Sequence, residues 1–88
     1  MARVTAMLNS NGNAVKNQLV IIEDDGSVVF QSYKTRIARI KKDGTVVLDP
    51  KHDCSKTTTR YRNLFLKQTS AQVNARIKDG TYKIEDLN

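Results

Sequence analysis

The segment Ser55-Lys56-Thr57-Thr58-Thr59-Arg60-Tyr61-Arg62 holds the densest set of anion-binding groups in the chain. Hydroxyls and free backbone amides at a helix start, accompanied by Lys and Arg, are the groups that hold a phosphate. Lys56, Thr58, Thr59, Arg60 and Arg62 are therefore expected to touch a nucleic-acid backbone. The competing reading is an ordinary helix start, in which the hydroxyls cap the helix and the two arginines are solvated. A second set, Ser32-Tyr33-Lys34-Thr35-Arg36, interleaves basic residues with an aromatic ring on an expected strand. Lys34 and Arg36 share one face there and suit a phosphate backbone. Tyr33 falls on the opposite face; stacking on a base is its functional role, burial in the core its expected one.

Catalytic chemistry finds little support. One histidine, one cysteine and scattered carboxylates supply no set of nucleophile, base and orienting group, and there is no phosphate-binding loop or dinucleotide fingerprint. Asp24, Asp25 and Asp43 are accounted for by hairpin turns. His52 and Cys54 offer two metal ligands where a structural zinc site needs four, so neither metal nor cofactor is expected. Cys54 is expected as a small buried or half-buried residue, and a lone cysteine excludes an intramolecular disulfide and agrees with a reducing compartment.

The charge that would serve such an interface is concentrated. The 88 residues carry 15 Lys and Arg against 9 Asp and Glu, a net +6. Between Lys34 and Arg62 nine basic residues face only Asp43, Asp49 and Asp53, so this third of the chain carries the whole excess. A concentrated basic segment is a footprint for a polyanion, because neutralising phosphates releases condensed counterions. Solubility alone is the bland alternative. Net positive charge also argues against a mimic of DNA.

The elements that must position these groups follow from pattern. A chain of this length makes one domain, 1–88, without room for a second core. It buries only about 60 to 65% of the surface exposed when unfolded, which leaves added stability from a homodimer as an expectation. The mean hydropathy of −0.52 and the lack of a long apolar run exclude a membrane helix, and the N-terminal residues lack the features of a secretory signal, so the expected location is the cytoplasm.

Residues 1–50 read as β-rich. Val4 to Leu8 makes a strand ended by Asn9-Ser10-Asn11-Gly12-Asn13. Asp25-Gly26 joins Gln18–Glu23 to a strand starting at Val28, and Asp43-Gly44 joins that strand to Thr45–Leu48. A middle strand unbroken from Val28 to Lys41 would span about 46 Å at roughly 3.3 Å per residue, too long for this domain. The parity of its apolar residues changes, which predicts a bulge near Gln31-Ser32. Asp49-Pro50 ends the sheet's third strand.

Residues 55–79 read as two short helices. Tyr61, Leu64, Phe65 and Gln68 define the inward side of the first, and Lys56, Arg60, Asn63 and Lys67 the opposite side. Thr69 and Gln72 form a capping box for the second, which carries Val73 and Ile77 inward and stops at Asp79-Gly80. Residues 81–88 are expected as an edge strand or extended segment. The fold class is thus α+β, a strongly bent antiparallel β-meander followed by two short helices.

The stretches Asn11–Gln18, Phe30–Ala38 and Thr57–Leu66, with elements of the type Ser-Tyr-x-Thr-x-Ile-Ala and Thr-Thr-x-Arg-Tyr-x-Asn-x-Phe-Leu, resemble small accessory proteins of tailed bacteriophages. The resemblance spans most of the chain. It implies expression in the cytoplasm of an infected bacterium and a part in taking over host machinery, and it carries no active-site residues. The expected function is non-enzymatic binding of a DNA or RNA phosphate backbone with little sequence specificity, through Lys34, Arg36, Lys56, Thr58, Thr59, Arg60 and Arg62. The alternatives are a module that inhibits or redirects a host enzyme or defence protein through an acidic surface of that protein, and a minor virion component.

Overall fold

The computed structural model describes residues 3–9 and 11–88. Six strands and two helices follow in the order β1 Arg3–Leu8, β2 Ala14–Ile22, β3 Val28–Ser32, β4 Thr35–Ile40, β5 Val46–Leu48, α1 Lys56–Leu66, α2 Ser70–Lys78 and β6 Lys83–Ile84. All six strands form one sheet in chain order, antiparallel from β1 to β5 and parallel between β5 and β6. This is the α+β meander with two helices that the pattern predicts.

The two Asp-Gly signals do mark hairpins, each with a three-residue loop. Gly26 and Gly44 both take φ of 91°, a value that L side chains rarely adopt, so the loop can close with the right-handed twist of its strands. In the first, the Gly26 amide donates to the Glu23 carbonyl at 3.0 Å and the Asp25 carboxylate accepts from the Ser27 amide at 2.8 Å. Asp43 and Thr45 repeat that bond at 2.9 Å. These amide bonds hold the Asp25 and Asp43 carboxyls below the usual carboxylate range. Asn9 organises the β1–β2 turn in the same way, accepting from the amides of Asn11 and Asn13, while Ser10 of the expected 9–13 turn lies outside the described residues.

The segment too long to run as one strand does break, into β3 and β4. The chain reverses completely at Tyr33-Lys34, between Ser32 and its partner Thr35. Tyr33 takes φ of 55°, the left-handed region where glycine is usual, and its carbonyl accepts from Gln31 Nε2 at 3.0 Å. The predicted bulge exists, as a register shift between Phe30 and Gln31 that leaves Ile37 as the extra residue of β4. Ile37 and Ala38 are consequently both fully buried although adjacent in a strand. Tyr33 is a correction: at the tip of a two-residue turn the residue is 62% exposed and takes no part in the core.

Cross-strand pairing lines up Val20, Phe30, Ala38 and Leu48 on the face that the helices cover. There they meet Tyr61, Phe65, Val73 and Ile77, with the Phe30 and Phe65 rings stacked at 5.8 Å between centroids. On the opposite face Val29 and Val47 are buried, and Val29 lines a small cleft with Arg36, Arg39 and Leu87 of the C-terminal segment. That segment is held by the buried Asp49 carboxylate. It accepts from the amides of Leu87 and Lys51, each at 2.9 Å, and from Asn88 Nδ2 at 3.0 Å. Burial opposes ionisation of Asp49, but these bonds outweigh it and keep the carboxyl below its ordinary range.

Candidate nucleic-acid interface

Helix α1 starts where Ser55 accepts from the Thr58 amide at 3.0 Å. Its first turn contains no acidic residue, and the nearest carboxylate in the groove is that of Asp53, ahead of the cap. At about 100° per residue, Thr58, Tyr61, Arg62 and Phe65 fall on the side facing the sheet. Lys56, Arg60, Asn63, Leu64 and Lys67 fall on the other. The outward residues line an open groove of about 870 Å³, whose far wall is formed by Gln68, Thr69 and Gln72 at the start of α2.

The expected binding residues therefore divide. Lys56 and Arg60 are exposed and Thr59 is half-buried, and all three line the groove. The Arg60 guanidinium lies over the Tyr61 ring, 5.8 Å from its centroid, a cation–π contact at the tip of the side chain. Lys34 is exposed in the β3–β4 turn and lines a separate cleft with Lys51. Arg36 is exposed on β4, its backbone amide donating to Asn88 Oδ1 at 2.8 Å and its carbonyl accepting from Asn88 Nδ2 at 3.1 Å. The two clusters are linked at their bases, where Ser32 Oγ and Thr58 Oγ1 lie 3.5 Å apart.

Thr58 and Arg62 belong to the interior instead. Thr58 is 4% exposed, and its hydroxyl accepts from Ser55 Oγ at 2.9 Å. Arg62 is 1% exposed. Its guanidinium donates to His52 Nδ1 at 2.7 Å, to Asn63 Oδ1 through Nε at 3.2 Å and Nη2 at 2.8 Å, and to Ser70 Oγ at 3.4 Å. Arg62 thus ties the loop before α1 to α1 itself and to α2. Leu64, expected inward, takes the place on the outer face that Arg62 was expected to hold and is 48% exposed. Cys54 is exposed rather than buried, because it sits in the loop just ahead of the Ser55 cap, with its Sγ 3.8 Å from Thr58 Oγ1. Among the described residues, no three His, Cys, Asp or Glu side chains are grouped to hold a metal ion.

The Arg62–His52 contact determines the histidine's state. Guanidinium can only donate, so Nδ1 must be the unprotonated nitrogen and the neutral ring carries its proton on Nε2. Burial lowers the His52 pKa below 6.5; Asp53 opposes this, Arg62 adds to it and Asp49 opposes it. The unfolded chain therefore binds the proton first as the pH falls. Stability is expected to decline from about pH 6.5 down to the lowered folded value, and to be level with respect to this group on either side of that window. His52 is the sole histidine, so its proton resonances in an NMR titration are unambiguous. They should give a midpoint below 6.5; a midpoint at or above it would show that the ring is not held neutral against Arg62.

Gln68, Gln72 and Leu64 are the groove residues that charge and hydroxyl content did not point to. The capping box of Thr69 and Gln72 was the available signal, since it brings the start of α2 back beside the end of α1. Among the described residues no helix is long and apolar enough to cross a membrane. No curated protein and no solved structure is detectably similar to the chain. One family model matches nearly its whole length, residues 2–83, and the chain belongs to that family of unknown function, DUF8033.

Proposed function

We propose that this protein is a non-enzymatic accessory protein that binds nucleic acid through the outer face of α1, with little sequence specificity, and that it acts in the cytoplasm of a bacterium infected by a phage. The observation that carries this reading is the groove. Lys56, Arg60 and Lys67 line it against one carboxylate, Asp53, and they lie on one helical face beside a helix start without acids. Such an arrangement neutralises phosphates without reading bases. Lys34 and Arg36 line clefts separate from this groove and would serve as additional phosphate contacts, while Thr58 and Arg62 hold the helix in place.

A triple variant, Lys56→Ala, Arg60→Ala and Lys67→Ala, tests this by fluorescence anisotropy across a salt series. The slope of log affinity against log salt should become shallower by about 3, close to one per lost phosphate contact, with an unchanged melting temperature. An unaltered slope and affinity would remove this face from the interface.

A second reading, a module that binds a host protein, is favoured by β1. It is an edge strand of the sheet, and Val4 and Leu8 on it are 57% and 59% exposed. A host protein retained by the purified chain after nuclease treatment, and lost on Val4→Lys, would favour this reading over the first.

A further inference from the structure

The polar groups of the groove can be sorted by what they have left to offer a ligand. The Thr69 amide can only donate, and it donates to Gln72 Oε1 at 2.9 Å, which fixes the Gln72 carboxamide with its oxygen toward the start of α2. Arg62 fixes Asn63 in the same sense, and Asn63 Nδ2 is taken by Ser70 Oγ at 2.9 Å. The Tyr82 hydroxyl donates to Gln68 Oε1 at 2.5 Å. Gln68 and Gln72 each keep both Nε2 hydrogens to donate, against a single remaining lone pair on Oε1. Lys56, Arg60 and Lys67 are donors without acceptor capacity. Apart from Asp53 at one end, the charged and carboxamide groups of the wall thus ask for acceptors and negative charge. Leu64 adds an exposed aliphatic surface among them.

A ligand that matches must combine an anion, carbonyl or ring-nitrogen acceptors and a flat apolar face. A nucleotide unit with its base unstacked has all three. In a duplex the base faces are covered by their neighbours and cannot reach a concave wall. The groove volume falls in the usual range of about 300 to 1,000 Å³ for small-ligand pockets, enough for one or two such units. We infer that the groove takes single-stranded rather than duplex nucleic acid. A base lies on Leu64 with its acceptors toward Gln68 and Gln72, and the flanking phosphates meet Lys56, Arg60 and Lys67. This rests on the nucleic-acid reading above and narrows it to one class of strand.

The test compares an oligothymidine of roughly 12 nucleotides, within the usual range of site sizes, with a duplex of the same length at one salt concentration. Two variants accompany the wild type. Leu64→Ser removes the apolar surface at an exposed position. Gln72→Glu keeps an oxygen for the Thr69 amide and replaces the donor by an acceptor. Wild type should bind the single strand at least tenfold tighter. Each variant should lose about fivefold or more on the single strand, the order of one base contact, and lose less on the duplex. Equal affinity for strand and duplex would overturn the inference while leaving the phosphate-binding face intact. A preference for single strands that neither variant alters would also overturn it, since the base would then lie elsewhere. No binding to either probe would remove both readings.

Discussion

Arg62→Ala is expected to lower the melting temperature by roughly 12 to 24 °C, corresponding to a loss of about 3 kcal/mol in a domain of this size. The side chain makes four hydrogen bonds to His52, Asn63 and Ser70, all uncharged. Truncation leaves the buried His52 Nδ1 without its donor, at about 1 to 3 kcal/mol, strips the half-buried Asn63 Oδ1 of two more bonds, and opens a cavity. Relief of the cation's own desolvation offsets part of this, because a buried charge is costly to keep. Burial lowers the Arg62 pKa while Asp53 raises it, which marks the guanidinium as a cation held in a poor solvent. Arg62→Lys should fall between wild type and alanine, since an ammonium keeps the charge but lacks the planar fork. Thermal melts of the three proteins decide the matter. An unchanged melt for Arg62→Ala accompanied by weaker nucleic-acid binding would return Arg62 to the surface.

Phe30→Ala should cost about 3 to 5 kcal/mol, the usual range for deleting a buried phenyl ring. Phe30 has no exposed surface, stacks on Phe65 of α1 and sits between Val20 and Ala38 in the row that crosses the sheet. Its removal detaches the helices from the sheet at the point where they pack. Native stability is typically 5 to 15 kcal/mol, and short chains lie at the lower end, so the loss is a large share of the total. Urea unfolding followed by circular dichroism should show a much lower midpoint, with nucleic-acid binding lost in step. A midpoint close to wild type would mean that the sheet and helices hold together through other contacts.

Arg62 marks a place where the chain's pattern and its packing diverge. The hydrophobic rule assigns Leu64 to the inside of α1 and Arg62 to the outside, and the fold reverses them. Helical spacing already contains the reason. Thr58, Tyr61, Arg62 and Phe65 form one compact arc, whereas Leu64 lies beyond its edge beside Arg60. Tyr61 and Phe65 both need the sheet, and their burial carries Arg62 inward with them. The cost of burying the guanidinium is offset because His52 and Ser70 stand on either side to receive it. Tyr33 diverges for another reason: nothing in the propensity of an aromatic residue announces a left-handed turn position. That conformation is imposed by the pairing of β3 with β4.

The order of the elements, the hairpins at Asp25-Gly26 and Asp43-Gly44, the capping box at Thr69 and Gln72, and the third of the chain that carries the net charge are all legible along the chain. These are local properties: a glycine at positive φ, a side chain bonded to an amide two or three residues away, a count of charges. Only the tertiary structure decided that the middle strand folds back at Tyr33, that Arg62 is an internal brace and Leu64 a groove residue, and that the carboxamides of α2 stand opposite the lysines and arginine of α1. Each of these depends on how α1 is rotated against the sheet. That rotation is a compromise among residues far apart in the chain, and no single stretch of sequence contains it.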